Sequence, residues 1–136
     1  MKKVVIDTNV VISGLLFGGV PGEIVSLWHQ KRILPYTSKA IIQEYLRVLS
    51  YPKFKLSSEE IEYILYHEIL TFFELTETSA ELPIVSKDPS DDIFIHCALA
   101  QSIKTIISGD AHLLDIGKFQ LINIFSPAEF LNLFSQ

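Results

Sequence analysis

Val4-Val5-Ile6-Asp7 and, far downstream, Thr105-Ile106-Ile107-Ser108-Gly109-Asp110 share one design: a short apolar run that ends just before an aspartate. Runs of this length without polar alternation suit strands buried on both faces. Ile33-Leu34-Pro35-Tyr36 reads as another strand, with its proline as an objection, and Leu121 to Phe125 as the last. The segments between them carry helix signals. Val10 to Leu16 is helical until Gly18-Gly19 stops it, and Pro21 opens a helix to about Gln30. Ser38 caps an amphipathic helix to Leu49, with Ile42, Tyr45, Leu46 and Leu49 on one face. Ser57-Ser58-Glu59-Glu60 is a capping box for a long helix to about Phe73, followed by a short strand over Phe73 to Thr76. Asp88-Pro89-Ser90-Asp91 starts a helix to about Ser102 that is apolar nearly all round and so belongs inside. Ser126-Pro127-Ala128-Glu129 starts the last helix. Strands alternating with helices predict an α/β fold, a three-layer α/β/α sandwich around a mainly parallel sheet, in a single domain over 1–136.

Composition narrows the function classes. With 49% hydrophobic and 20% charged residues, the chain is neither disordered nor fibrous. Mean hydropathy of +0.33 is high for a monomer and points to an apolar partner surface. Cys97 is the single cysteine, which excludes a disulfide scaffold or a zinc ribbon. A net charge of −5 argues against holding nucleic acid by bulk positive potential, so a polyanion would have to be met by a local basic patch or by bound metal. Met1-Lys2-Lys3 and the apolar residues after it imitate a secretory signal, but Asp7 and Asn9 interrupt the apolar core. No window reaches the ~18 apolar residues of a spanning helix, and the expected location is the cytoplasm, with no membrane partner.

The acids at the strand ends are the chemical signal. In open parallel sheets, ligands bind outside the carboxyl ends of the strands. Asp7 closes one buried strand, and Asp110 follows another after Gly109 lets the backbone turn. Asp92 falls in the first turn of the inner helix, and Glu44 on the border of an apolar helix face. Gathered together, four carboxylates would repel and raise one another's pKa unless a cation neutralised them. A hard divalent ion does this with oxygen ligands, and a pair of such ions would serve phosphodiester hydrolysis. Each acid also has an ordinary reading. Asp88 and Asp91 suit helix starts, Asp92 a favourable first-turn charge, and Glu44 a partner for Arg47. Asp7 is harder to explain that way, since an acid closing a buried strand needs a partner.

The sequence resembles the PIN domain family, in particular its bacterial toxin branch, the VapC-like ribonucleases. The resemblance is carried by Val5-Ile6-Asp7-Thr8-Asn9, by Glu44 within Ser38 to Leu46, and by Tyr51-Pro52-Lys53-Phe54. Asp88-Pro89-Ser90-Asp91-Asp92-Ile93-Phe94, Ile107-Ser108-Gly109-Asp110 and Ser126 to Leu131 complete it, so that it spans essentially the whole chain. It implies an endoribonuclease acting on single-stranded RNA with Mg2+ or Mn2+, a homodimer, and an antitoxin partner lying over the acidic pocket. Asp7, Glu44, Asp92 and Asp110 fall on the family's four acids, as catalytic and metal-holding residues. Asp92 is preferred to Asp91 because it stands 18 residues before Asp110 and one turn before His96. Asn9 and the hydroxyl of Thr8 or Ser108 would orient Asp7. One departure is His112, where relatives often carry a further acid; a neutral imidazole there could ligate a metal or hold a phosphate.

Arg47 and Lys53 are candidate substrate contacts. Lys53-Phe54-Lys55 mixes charge with an aromatic, as RNA-gripping loops do, and also reads as a solvated linker. A haloacid-dehalogenase-like phosphatase is excluded, because its second aspartate, two residues after the first, is Asn9 here. Two alternatives stay open: a PIN-fold nuclease for RNA processing without an antitoxin, and a catalytically inactive PIN-fold interaction module.

Overall fold

The computed structural model describes residues 1–78 and 88–135. The first half runs β1 (Lys2–Ile6), α1 (Thr8–Leu16), α2 (Gly19–His29), β2 (Ile33–Thr37) and α3 (Lys39–Leu49). A 3-10 turn at Pro52–Phe54 leads to α4 (Ser58–Tyr63), which passes into a π-helical stretch at Ile64–Ile69 before β3 (Glu74–Leu75). The second half contains α5 (Pro89–Ala100), β4 (Thr105–Ile107), α6 (Ala111–Ile116), β5 (Lys118–Phe119), β6 (Ile122–Phe125) and α7 (Pro127–Phe134).

The six strands form one sheet in the order β3-β2-β1-β4-β6-β5. Every pairing is parallel except β5 with β6. Val4, Val5 and Ile6 of β1 are all buried, as are Thr105, Ile106 and Ile107 of β4. Successive strand residues point to opposite faces, so both faces of the sheet centre are covered. This is the α/β sandwich with a mainly parallel sheet that the alternation of runs predicts. The sheet tolerates Pro35 because β3 pairs with Tyr36 and Thr37, and among the described residues no strand lies beside Pro35 on the side away from β1.

The order of strands determines where a ligand can sit. From β1 the chain builds outward through β2 to β3, then returns to lay β4 on the other flank of β1 and continues to β6. The segments leaving β1 and β4 therefore diverge, and a crevice opens at their carboxyl ends. Val5 pairs with Ile106 and Ile6 with Ile107, which sets Asp7 and Ser108 level at its mouth.

Several helix starts follow their sequence signals. The side chains of Ser38, Ser57, Asp88 and Ser126 all accept bonds from first-turn amides, and Ser57–Glu60 and Ser126–Glu129 form reciprocal capping boxes. Other details differ from expectation. The buried face of α3 is Ile41, Tyr45, Val48 and Leu49, with Ile42 and Leu46 at its border. The helix begun at Ser57 does not stay α-helical: Leu70 N–H bonds to Leu65 O, a five-residue step, and the helix ends short of Phe73. The sequence reading missed α6 and β5, which are six and two residues long. Gly117, at φ 67°, makes the left-handed turn between them.

The pair α1–α2 bends by 92° at the glycines, and among the described residues no single helix is long and apolar enough to cross a membrane. Gly14 permits the close approach of these two helices, since a Cβ there would lie 2.6 Å from Val25 Cγ2 and 2.7 Å from the Pro21 carbonyl oxygen.

Candidate functional site

Asp7 leaves β1 with its N–H bonded to Ile107 O at 2.9 Å, which ties it to the last residue of β4. It is the N-cap of α1, with Oδ1 accepting from Thr8 N–H at 2.7 Å. The other oxygen, Oδ2, accepts from Ser108 Oγ at 2.6 Å. Ser108 Oγ in turn accepts the Asp110 N–H at 2.9 Å, so one fully buried hydroxyl fixes both acids. Asp110 caps α6, its Oδ1 receiving His112 N–H at 2.8 Å and Leu113 N–H at 3.2 Å. Beneath them the Tyr45 hydroxyl donates to Ile6 O at 2.6 Å, holding the carbonyl just before Asp7. The sequence reading gave Tyr45 only to the core; its signal was the phenol itself, which needs a partner when buried.

Asp7 is 5% exposed, and burial pushes its carboxyl up to about 6. The bonds from Ser108 and Thr8 oppose that rise, while the charges of Asp110 and Asp91 add to it. Asp7 thus feels two further carboxylates, and its hydrogen-bonding partners are neutral. The second of these acids, Asp91, lies buried in the first turn of α5. Asp91, Asp110 and His112 each offer a ligand atom within 4.8 Å of the others, the only such group among the described residues. The elements that follow β1 and β4 and the first turn of α5 thereby converge at the crevice.

The remaining sequence candidates are placed as follows. Asp92 is buried in the same turn as Asp91, about 100° round the helix from it. Asp91, read from the sequence as a helix-start acid, is the one that shares a ligand group with Asp110 and His112. Glu44 lies outside that group and is held by Arg47, with Nη2–Oε1 at 2.7 Å and Nε–Oε2 at 3.1 Å. Arg47 also donates to the Tyr51 hydroxyl. Of the groups expected to orient Asp7, the Ser108 hydroxyl bonds to it, Thr8 does so through its N–H and not through its hydroxyl, and Asn9 is exposed. Thr8 Oγ1 is buried without a hydrogen-bond partner. Lys53 is exposed on the 3-10 turn with Nζ 5.1 Å from the Phe54 ring centre. Cys97 is buried, and that burial pushes its thiol up to about 12, far from a reactive thiolate.

The residues present fit a divalent cation. Two carboxylates and an imidazole stand within ligand distance of one another, a third carboxylate lies beside them, and Thr8 Oγ1 is left without a bond. Such acids are held together at lowest cost by positive charge, and oxygen-rich sets of this kind suit Mg2+ or Mn2+.

A PIN domain family model matches residues 3–112, and the chain belongs to that family. The uncharacterised protein MJ1680 of Methanocaldococcus jannaschii is 33% identical over 151 residues, covering 98% of this chain and 92% of that one. A chain from the crystal structure of VapBC2 from Rickettsia felis, bound to a DNA fragment from their promoter, shares the fold with a TM-score of 0.60. At 13% identity it covers 90% of this chain and 96% of that chain.

Proposed function

We propose that this protein is a divalent-metal-dependent endoribonuclease that hydrolyses single-stranded RNA, and that it is the toxin of a toxin–antitoxin pair in the cytoplasm. One observation carries the reading: Asp7, Asp91 and Asp110 are brought from three separate segments to the ligand-binding crevice of the sheet. Asp7, Asp91 and Asp110 would hold the ion, with Asp92 the adjacent buried acid and Glu44 held by Arg47. When bound, Mg2+ or Mn2+ supplies Lewis-acid polarisation of the phosphate and lowers the pKa of water. The chain's own residues do the rest. Ser108 and the Thr8 N–H fix the Asp7 carboxylate, Asn9 stands exposed beside it, and the α6 amides fix Asp110. Arg47 and Lys53, both exposed, would meet the phosphate backbone of RNA.

One solved structure with this fold comes from VapBC2 bound to a promoter DNA fragment, and an antitoxin partner here is part of the proposal. Exposed Phe17, Val20, Tyr63, Tyr66 and Leu70 offer apolar surface for protein partners, an antitoxin or a second copy of the chain. The test is cleavage of a labelled single-stranded RNA with Mg2+, with Mn2+ and with EDTA. Wild type is expected to cut only with metal, and Asp7→Asn and Asp110→Asn to lose cutting while staying folded. Equal cutting by all three proteins overturns the nuclease reading; metal binding without cutting leaves an inactive interaction module.

A further inference from the structure

In the ligand group formed by Asp91, Asp110 and His112, the histidine is the nitrogen donor. It sits on the first turn of α6, two residues after Asp110, with its side chain 73% exposed. Its Nδ1 is 4.0 Å from Asp110 Oδ1. That separation is too long for a hydrogen bond. Two donors on one six-coordinate ion with bonds of ~2.1 Å, however, stand roughly 3–4.2 Å apart. The Asp110 oxygen used for capping is Oδ1, which takes both amide bonds; among the described residues none donates to Oδ2. Asp88, the cap of α5, also feels the charge of His112, so the imidazole is faced by Asp88, Asp91 and Asp110. An exposed ring in this position turns without disturbing the core.

We propose that His112 is itself a ligand for the ion at this site and shifts its preference from Mg2+ towards a nitrogen-accepting transition-metal ion. The inference rests on the metal reading made above. An imidazole in place of a carboxylate removes one negative charge, which weakens the hold on a hard ion such as Mg2+. It also supplies a borderline nitrogen donor, which Co2+, Fe2+ and Zn2+ accept far more readily than Mg2+ does.

The experiment is titration of the whole protein with Co2+ and, separately, with Mg2+ by calorimetry. Proton NMR of the Co2+ form then serves to find the shifted N–H signal of a ligated imidazole. Wild type is expected to bind Co2+ more tightly than Mg2+ and to show that signal. In His112→Ala the signal disappears and Co2+ affinity falls by about tenfold or more, with little change for Mg2+. In His112→Asp the Mg2+ affinity rises. An unchanged Co2+ affinity and spectrum in His112→Ala, with wild type binding the ion, overturns the role of His112 and leaves the nuclease reading standing. If wild type binds neither ion, the metal reading fails as well. If His112 ligates Co2+ but no RNA is cut under any metal, the nuclease reading fails and this inference survives. Melting curves of the variants confirm that substitution at this exposed position leaves the fold intact.

Discussion

Ser108 Oγ donates to Asp7 Oδ2 at 2.6 Å across 101 residues of sequence, and the same oxygen accepts the Asp110 N–H. Ser108→Ala removes a donor from a buried carboxylate and an acceptor from a buried amide. The expected cost is about 1–3 kcal/mol, measured by urea denaturation. The Asp7 carboxyl should also titrate higher than it does in wild type, because the bond that opposes its rise is gone. An unshifted Asp7 resonance in a pH titration of Ser108→Ala would show that the hydroxyl plays no such part.

The raised Asp7 carboxyl makes stability depend on pH in the direction opposite to that of a salt-bridged aspartate. Folding lifts it from 3.8 to about 6, so between those values the folded protein holds the proton more tightly than the unfolded chain. The stability this group adds is complete below the lower value and is lost as pH rises through about 6. The size is about 3 kcal/mol. Metal-free protein is therefore expected to melt at higher temperature at pH 5 than at pH 7.5, as far as Asp7 governs the difference. Asp7→Asn should remove this slope and stabilise the metal-free protein at neutral pH. Added divalent ion should stabilise wild type but not Asp7→Asn.

Asp91 and Asp92 are adjacent and both buried, yet Asp91 is the one that shares a ligand group with Asp110 and His112. Asp91→Asn is expected to lower single-turnover RNA cleavage by about 100-fold or more, a loss of the size caused by removing one charge-stabilising group. Asp92→Asn should cost less. If Asp92→Asn proves the more damaging of the two, the acid 18 residues before Asp110 is the one that matters.

Glu44 and Arg47 form a two-bond pair, with Arg47 tied on to Tyr51. Exposed pairs contribute little to folding, so Arg47→Met should barely move the melting temperature. RNA affinity should fall in Arg47→Met, measured by fluorescence anisotropy, with a shallower salt dependence than wild type.

Gly14 is a packing residue. Gly14→Ala drives a methyl into Val25 and the Pro21 carbonyl and should destabilise by about 1–3 kcal/mol, read from denaturant midpoints. RNA cleavage below the melting transition should be unaffected, because the acids lie at the other end of α1.

The sheet was legible because its central strands are buried on both faces. Val4-Val5-Ile6 and Thr105-Ile106-Ile107 carry no alternation and can be little else. The capped helices were legible because Ser38, Ser57 and Ser126 have side chains that do the capping. The elements α6 and β5 escaped because neither is long enough to show a period; their cause is local, an Asp110 cap and a Gly117 turn. The passage of α4 into a π-helix likewise leaves no mark in the spacing of Ile61, Leu65 and Ile69. Within the site, Asp7 and Asp110 could be read from their places after strands, since position along the chain fixes them there. The sequence spacing prefers Asp92, whereas Asp91 shares the ligand group with Asp110 and His112; the two acids differ by one residue of helix phase, which depends on how α5 packs over β1, β2 and β4. The bond from Tyr45 to Ile6 O joins residues 39 apart and had no local trace.

The seam between β1 and β4 has a consequence for synthesis on the ribosome. Asp7 emerges with the first strand, but the strand that flanks it and the hydroxyl that grips it are translated 101 residues later. A polypeptide halted before Ile107 holds Asp7, Asp91 and Asp92 but lacks Ser108, Asp110 and His112, so truncated or stalled products miss the hydroxyl that joins the two strand-end acids.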